Sequence, residues 1–87
     1  MKNNDLELIY KFAKKHRLGF HFYEDFEGNY VNAFIVVDDE VFDYTYYENE
    51  ENCEKRIQFC DEVRSDLSVE TALRYFEDEL LLKGELK

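Results

Sequence analysis

The chain reads as an α+β domain of element order αβββαα, a three-stranded antiparallel meander packed on helices. Three observations carry this expectation. Apolar residues recur at helical spacing up to Arg17, alternate with period two from Leu18 to Tyr47, and return to helical spacing from Asn49 onward. The 87 residues contain no proline, have glycine only at positions 19, 28 and 84, and show no repeat or Ser-rich stretch, so one domain spanning 1–87 is expected.

Asn4 before Asp5-Leu6-Glu7 has the chemistry of a helix N-cap, with Glu7 placed to reach back to the cap amide. Leu6, Ile9, Tyr10 and Ala13 supply the apolar stripe, while Lys11, Lys14, Lys15 and Arg17 gather toward the negative end of the helix dipole. From Leu18 the period changes: Leu18, Phe20 and Phe22 share one face of a strand and His21 and Tyr23 the other. Glu24 to Asn29 provides turn chemistry. Tyr30 to Val37, β-branched and aromatic, reads as the best-buried strand. Asp38-Asp39 forms a tight connection, because aspartate tolerates the positive φ of a two-residue hairpin. Glu40 to Tyr47 then alternates, with Phe42, Tyr44 and Tyr46 opposite Asp43 and Thr45.

Asn49 suits an N-cap, and Cys53, Ile57, Cys60 and Val63 form a stripe for a second helix reaching about Arg64. Ser68 caps a third, whose stripe is Val69, Ala72, Leu73, Phe76 and Leu80, with Gly84 just past its end. Seven helical residues apart, Cys53 and Cys60 stand about 10 Å from each other. That is too far for a disulfide, so both are expected as reduced core residues, in keeping with a cytoplasmic location. The N-terminal segment lacks the apolar run of a signal peptide, and no segment approaches the roughly 20 apolar residues needed to span a bilayer.

Charge is the most uneven property of the chain. Between Leu18 and Glu54 there is no lysine or arginine but eleven carboxylates, in a chain of formal net charge −10. Most of the aromatics fall in the same block, so the carboxylates are expected on folded structure rather than in a disordered acidic tail. Such a surface repels nucleic acid and anionic membranes and attracts basic proteins. Charge of this size also serves solubility alone, as in a structural or assembly protein. The concentration in hairpin turns, the lack of interspersed cations and tyrosines expected to be exposed (Tyr44, Tyr46, Tyr47) favour a binding surface. Its candidate residues are Glu24, Asp25, Glu27, Asp38, Asp39, Glu40 and Asp43.

Catalysis is not expected. His16 and His21 stand apart without ligand spacing, so no metal site or other cofactor is expected. Ser65 and Ser68 have turn and capping roles, and no glycine-rich phosphate cradle or nucleophile elbow occurs. Paired acids such as Glu24/Asp25 and Asp38/Asp39 lack the context of a pocket.

The length, the expected element order and several short matches resemble the small type II-A anti-CRISPR proteins of phages and prophages. The matches are Asn4-Asp5-Leu6 opening the first helix, Glu48-Asn49-Glu50 entering the second, Glu54-Lys55 within it, and the closing Leu82-Lys83-Gly84-Glu85-Leu86. The resemblance implies an acidic DNA mimic, active in the bacterial host cytoplasm, that occupies the PAM-reading cleft of a guide-loaded RNA-guided effector nuclease and excludes target DNA. It places Asp38, Asp39 and Glu40 toward the nuclease active site, with Asp66 and Glu70 adding contacts between the last two helices. The chain departs from the family in its basic Lys14-Lys15-His16-Arg17 corner and in lacking a Gly-Asn pair at the tight turn. The alternative is an immunity or antitoxin-like module that neutralises a basic nuclease or toxin. A toxin gene beside this one would favour immunity, and a prophage operon with a helix-turn-helix regulator would favour anti-CRISPR. A monomer is expected, with homodimerisation through solvent-facing tyrosines left open.

Overall fold

The computed structural model describes residues 3–25, 27 and 29–86. The elements are α1 (Asn3–His16), β1 (Gly19–Glu24), β2 (Tyr30–Val37), β3 (Glu40–Glu48), β4 (Cys53–Phe59), β5 (Glu62–Val63) and α2 (Val69–Leu82). The protein is α+β, and its five strands form one antiparallel sheet in sequential order, β1-β2-β3-β4-β5. Phe26 and Gly28 of the expected first turn lie outside the described residues.

The expected second helix is absent: its residues form the β4-β5 hairpin, so the order is not αβββαα and the sheet has five strands, not three. The physical reasons are local. Asn49 does what a cap does, its Oδ1 accepting from the amides of Glu51 (2.8 Å) and Asn52 (2.9 Å), but the bonds close a turn and the chain leaves extended. Along β4, Ile57 and Phe59 face the core with Lys55 between them and the strand start. Lys55 breaks the period-two pattern in sequence, yet it is accommodated because its Nζ donates to the carbonyl of Leu67 at 3.1 Å while the stem stays on the sheet. Cys60-Asp61 turns the chain with φ of 52° and 62°, positive at both central positions as a type I′ hairpin requires. The two thiols are therefore not a helical core pair: both are free, Cys53 is exposed, and Cys60 is half-buried in the turn. Burial, then Glu40 and Glu79, pushes the Cys60 thiol up to about 11.

The strands β1 to β3 follow expectation. Asp38 takes φ 53° at the two-residue turn, and Val37 pairs with Glu40 across it. Phe20, Phe22 and Glu24 share the core face with Val31, Ala33, Ile35, Phe42, Tyr44, Ile57 and Phe59. Both helices cover this face, α1 over β1 and β2 and α2 over β4. They run in the same direction, with Phe12 against Phe76 and His16 Nε2 3.0 Å from Glu77 Oε2. Helix α1 begins at Asn3, which puts Asn4 inside the first turn instead of at the cap. Tyr10 is half exposed and meets Phe20 edge-on instead of joining the buried stripe of Ile9 and Ala13. Tyr44, expected on the surface, is buried, with its hydroxyl donating to Asp5 Oδ2 at 3.1 Å; Tyr46 is half-buried, and Tyr47 is exposed.

Helix α2 matches its sequence signals closely. The Ser68 hydroxyl accepts from the Thr71 amide at 3.1 Å. At the other end Gly84 (φ 73°) donates to Leu81 and Glu85 to Leu80, the paired bonds of a Schellman motif. This motif turns Glu85 back toward the sheet, where Oε1 is buried with no hydrogen-bond partner. Burial, then Asp38 and Asp39, raise the Glu85 carboxyl above the usual carboxylate range. A carboxyl raised on folding stabilises the fold below its unfolded pKa, and the contribution is lost as pH rises through the folded value. Glu85→Gln is therefore expected to raise Tm at neutral pH and to leave it unchanged below about pH 4, where both side chains are neutral. Thermal melts across that range check it; a rise at both pH values would remove the titration from the explanation.

Candidate acidic interface

Antiparallel strands deliver their connections alternately to two ends of a sheet. The β1–β2 and β3–β4 loops emerge at one end, and the Asp38-Asp39 and Cys60-Asp61 turns at the other. Glu40 to Glu48 is eight strand steps, which separates the ends by about 27 Å. The residues expected to act as one surface are thereby divided. Glu24, Asp25 and Glu27 lie at the loop end and Asp38, Asp39 and Glu40 at the turn end, with Asp43, on the face opposite the helices, lining one concavity with Asp39, Glu40 and Asp61.

The turn end has mixed charge. The Glu40 carboxylate is paired with Lys83 from the C-terminus of α2, which leaves Asp38 and Asp39 as the exposed acids of that turn. Lys14, Lys15 and Arg17 close α1 at the same end, where β1 begins. Asp43 is also engaged, its Oδ1 accepting from Asn32 Nδ2 at 2.8 Å. Asp66 is held by Arg64 through two contacts of 3.3 Å, and the guanidinium lowers its carboxyl below the ordinary value. Glu70 is exposed in the first turn of α2, favourably placed at the positive end of the dipole. Neither Asp66 nor Glu70 joins the turn end, because α2 begins near Lys55 and finishes at Glu40.

The charged residues described in the two loops of the other end are all acidic, with Lys55 and Arg56 following on β4, and several loop residues are held by hydrogen bonds. Asp25 Oδ1 accepts from the amides of Asn29 (2.8 Å) and Tyr30 (3.3 Å), and Glu27 Oε1 accepts from Asn29 Nδ2 at 3.2 Å. The Glu48 amide donates to the Asn29 carbonyl at 2.8 Å, tying the two loops together. Asp25, Glu27, Asn29, Tyr47, Glu48, Asn49 and Glu50 line one shallow concavity. Glu24, Glu51 and Glu54 are exposed around it. Tyr30 pairs with Tyr47 across the strands and lies 6.0 Å from the Tyr23 ring, so tyrosines border the carboxylates on the outer face.

Glu48, Glu50, Glu51 and Glu54 were not among the candidates expected from sequence. Read as a helix start, Glu50 and Glu51 had a sufficient role beside a dipole. Only the pairing of β4 with β3 carries their loop to the same end as Glu27. Among the described residues no group of three or more His, Cys, Asp or Glu side chains could hold a metal ion. No helix among them is long and apolar enough to cross a membrane. Neither a family model, nor a curated protein, nor a solved structure matches the chain.

Proposed function

We propose that the protein is an acidic inhibitor that docks on the arginine-rich, nucleic-acid-binding surface of another protein and excludes the nucleic acid by competition. The observation that carries this reading is the joining of two acidic loops around one concavity with Tyr47 in its lining. Carboxylates accept the planar guanidinium fork, and an adjacent tyrosine ring offers a face on which it can stack. Lysine would gain less from the same arrangement. The backbone bonds accepted by Asp25 and Asn49 hold those residues before binding, which lowers the entropy they lose and leaves more of the electrostatic gain as affinity.

The first candidate partner is a guide-loaded type II-A effector nuclease, whose PAM-reading arginines have the required chemistry. Of the short matches behind the resemblance, Asn4-Asp5-Leu6 stands in the first turns of α1, whereas Leu82 ends α2 and Lys83 to Leu86 lie past it. The Glu48-Asn49-Glu50 and Glu54-Lys55 matches fall on a strand end, a turn and a strand instead. A compact acidic end, in place of a stripe running along the sheet, also suits the cleft of a basic nuclease or toxin neutralised by an immunity-type protein.

Binding to a panel of guide-loaded nucleases and basic toxins, with duplex DNA carrying a PAM or RNA substrate as competitor, tests the reading. Binding is expected to exclude the nucleic acid and to weaken by at least tenfold between about 50 and 200 mM salt, as charge-driven contacts do. Binding that persists beside bound nucleic acid would reject competition as the mechanism. Binding only to toxins would replace the CRISPR reading with the immunity one.

A further inference from the structure

The two edges of the sheet are finished differently. At the β4 edge, the Ile57 amide donates to Ser65 Oγ at 3.2 Å and the Ile57 carbonyl accepts from the Arg64 amide at 2.7 Å, so the returning chain covers the half of β4 that ends in the Cys60-Asp61 turn. Strand β1 is the other edge and has no strand beyond it. It carries the Phe22 and Tyr23 side chains at 49% and 58% exposure, without proline or lysine to discourage pairing. The Asp25 amide bonds to the Tyr30 carbonyl at 3.0 Å, which fixes the alternation: Gly19, His21 and Tyr23 bond inward to β2, and the backbone groups of Phe20, Phe22 and Glu24 point outward.

The charges along this edge are polarised. Lys14, Lys15 and Arg17 stand at the beginning of β1, and Glu24, Asp25 and Glu27 at its end. We infer that β1 is a self-association edge, pairing antiparallel with β1 of a second copy about a two-fold axis at Phe22 and joining two five-stranded sheets into one of ten. Antiparallel pairing sets the basic beginning of each strand against the acidic end of the other, whereas a parallel arrangement would juxtapose like charges. The register centred on Phe22 is the one in which all three outward residues find partners, Phe22 opposite Phe22 and Phe20 opposite Glu24. Beyond the strand ends it brings the basic end of α1 at Arg17 in one copy toward the acidic loop at Glu27 in the other. On the outer face it puts His21, stacked on Phe34 at 4.8 Å, beside the second copy's Tyr23. The two Glu24 residues would stand about 14 Å apart along the ladder, beyond the Debye length of about 10 Å at 0.1 M salt. The inference rests on the free β1 edge and not on the proposed function, although Glu24 and Glu27 would serve both surfaces; the exposed Glu50 and Glu51 of the β3–β4 loop stay outside this interface.

Sedimentation equilibrium of the full chain tests it, with circular dichroism to verify folding of each variant. A concentration-dependent dimer is expected. Phe22→Lys, at an exposed position, should weaken it by about tenfold or more by putting two cations on the axis. Glu27→Arg should weaken it as well, and the double exchange Arg17→Glu with Glu27→Arg should restore it, an outcome a merely structural role would not produce. A monomer at all concentrations up to about 1 mM, a range that reaches even weak association, would overturn the inference. So would a dimer unaffected by Phe22→Lys.

Discussion

Replacing Glu24, Glu27, Glu50 and Glu51 together by glutamine is expected to weaken binding of the basic partner by at least about 100-fold, equivalent to roughly 3 kcal/mol or more. All four are exposed at the loop end, and removing their charge leaves the bonds of Asp25 that hold the β1–β2 loop untouched. Asp38→Asn with Asp39→Asn is the matched comparison, and a smaller effect is expected there. The turn is tight and exposed, but Lys83 already occupies the neighbouring Glu40, and Lys14, Lys15 and Arg17 lie at the same end. Sequence alone predicts the reverse order, because three consecutive acids, Asp38, Asp39 and Glu40, fall in a tight turn and Asp25 and Glu27 in a longer loop expected to be more mobile. Affinities measured side by side by calorimetry decide between them. An equal loss from both variants would point to long-range attraction by net charge and not to a site, and a larger loss from the turn variant would move the interface to the other end of the sheet.

Phe76→Ala is expected to be the most damaging single substitution, costing about 3–5 kcal/mol. Phe76 is fully buried and touches three other rings, Phe42 at 5.4 Å, Phe12 at 6.1 Å and Phe59 at 6.2 Å between centroids. It thus joins α2 to β3, β4 and α1 at one point. For a domain of this size total stability is roughly 4–13 kcal/mol, so the variant should be partly unfolded in mild denaturant. Phe76→Leu, which keeps most of the volume, should cost less than half as much. Urea unfolding with an unchanged m-value provides the measurement. A loss under about 1 kcal/mol would mean that the helix is not fixed to the sheet through this ring.

Sequence and structure diverge in the kind of element formed over 49–64, for a physical reason. Cys53, Ile57, Cys60 and Val63 are compatible with a helical face, and Asn49 bonds the following amides whether a helix or a turn follows. In the strand the buried positions are Ile57 and Phe59, a short alternation masked by Lys55 on the same face. The pair Cys60-Asp61 also makes a two-residue hairpin turn, with positive φ at both positions where the Asp38-Asp39 turn has it at Asp38 alone, but cysteine carries no turn signal. Nothing local distinguishes the alternatives; what does is that the edge of β3, with Phe42 and Tyr44 beneath it, gains both a hydrogen-bonding neighbour and Ile57 and Phe59 for the core.

By itself the sequence determined α1, the alternating strands β1 to β3, the Asp38-Asp39 turn, the cap and stop of α2, and a chain segment with carboxylates but no lysine or arginine. These are properties of spacing and of individual side chains, set over a few residues. Tertiary structure alone decided which carboxylates share a surface. Antiparallel pairing sent two acidic loops to one end and the favoured turn to the other, Lys83 reached Glu40 from 43 residues away, and a fourth strand brought Glu50 and Glu51 beside Glu27. Charge can be counted along a chain, but its field depends on distances that exist only after the strands have paired.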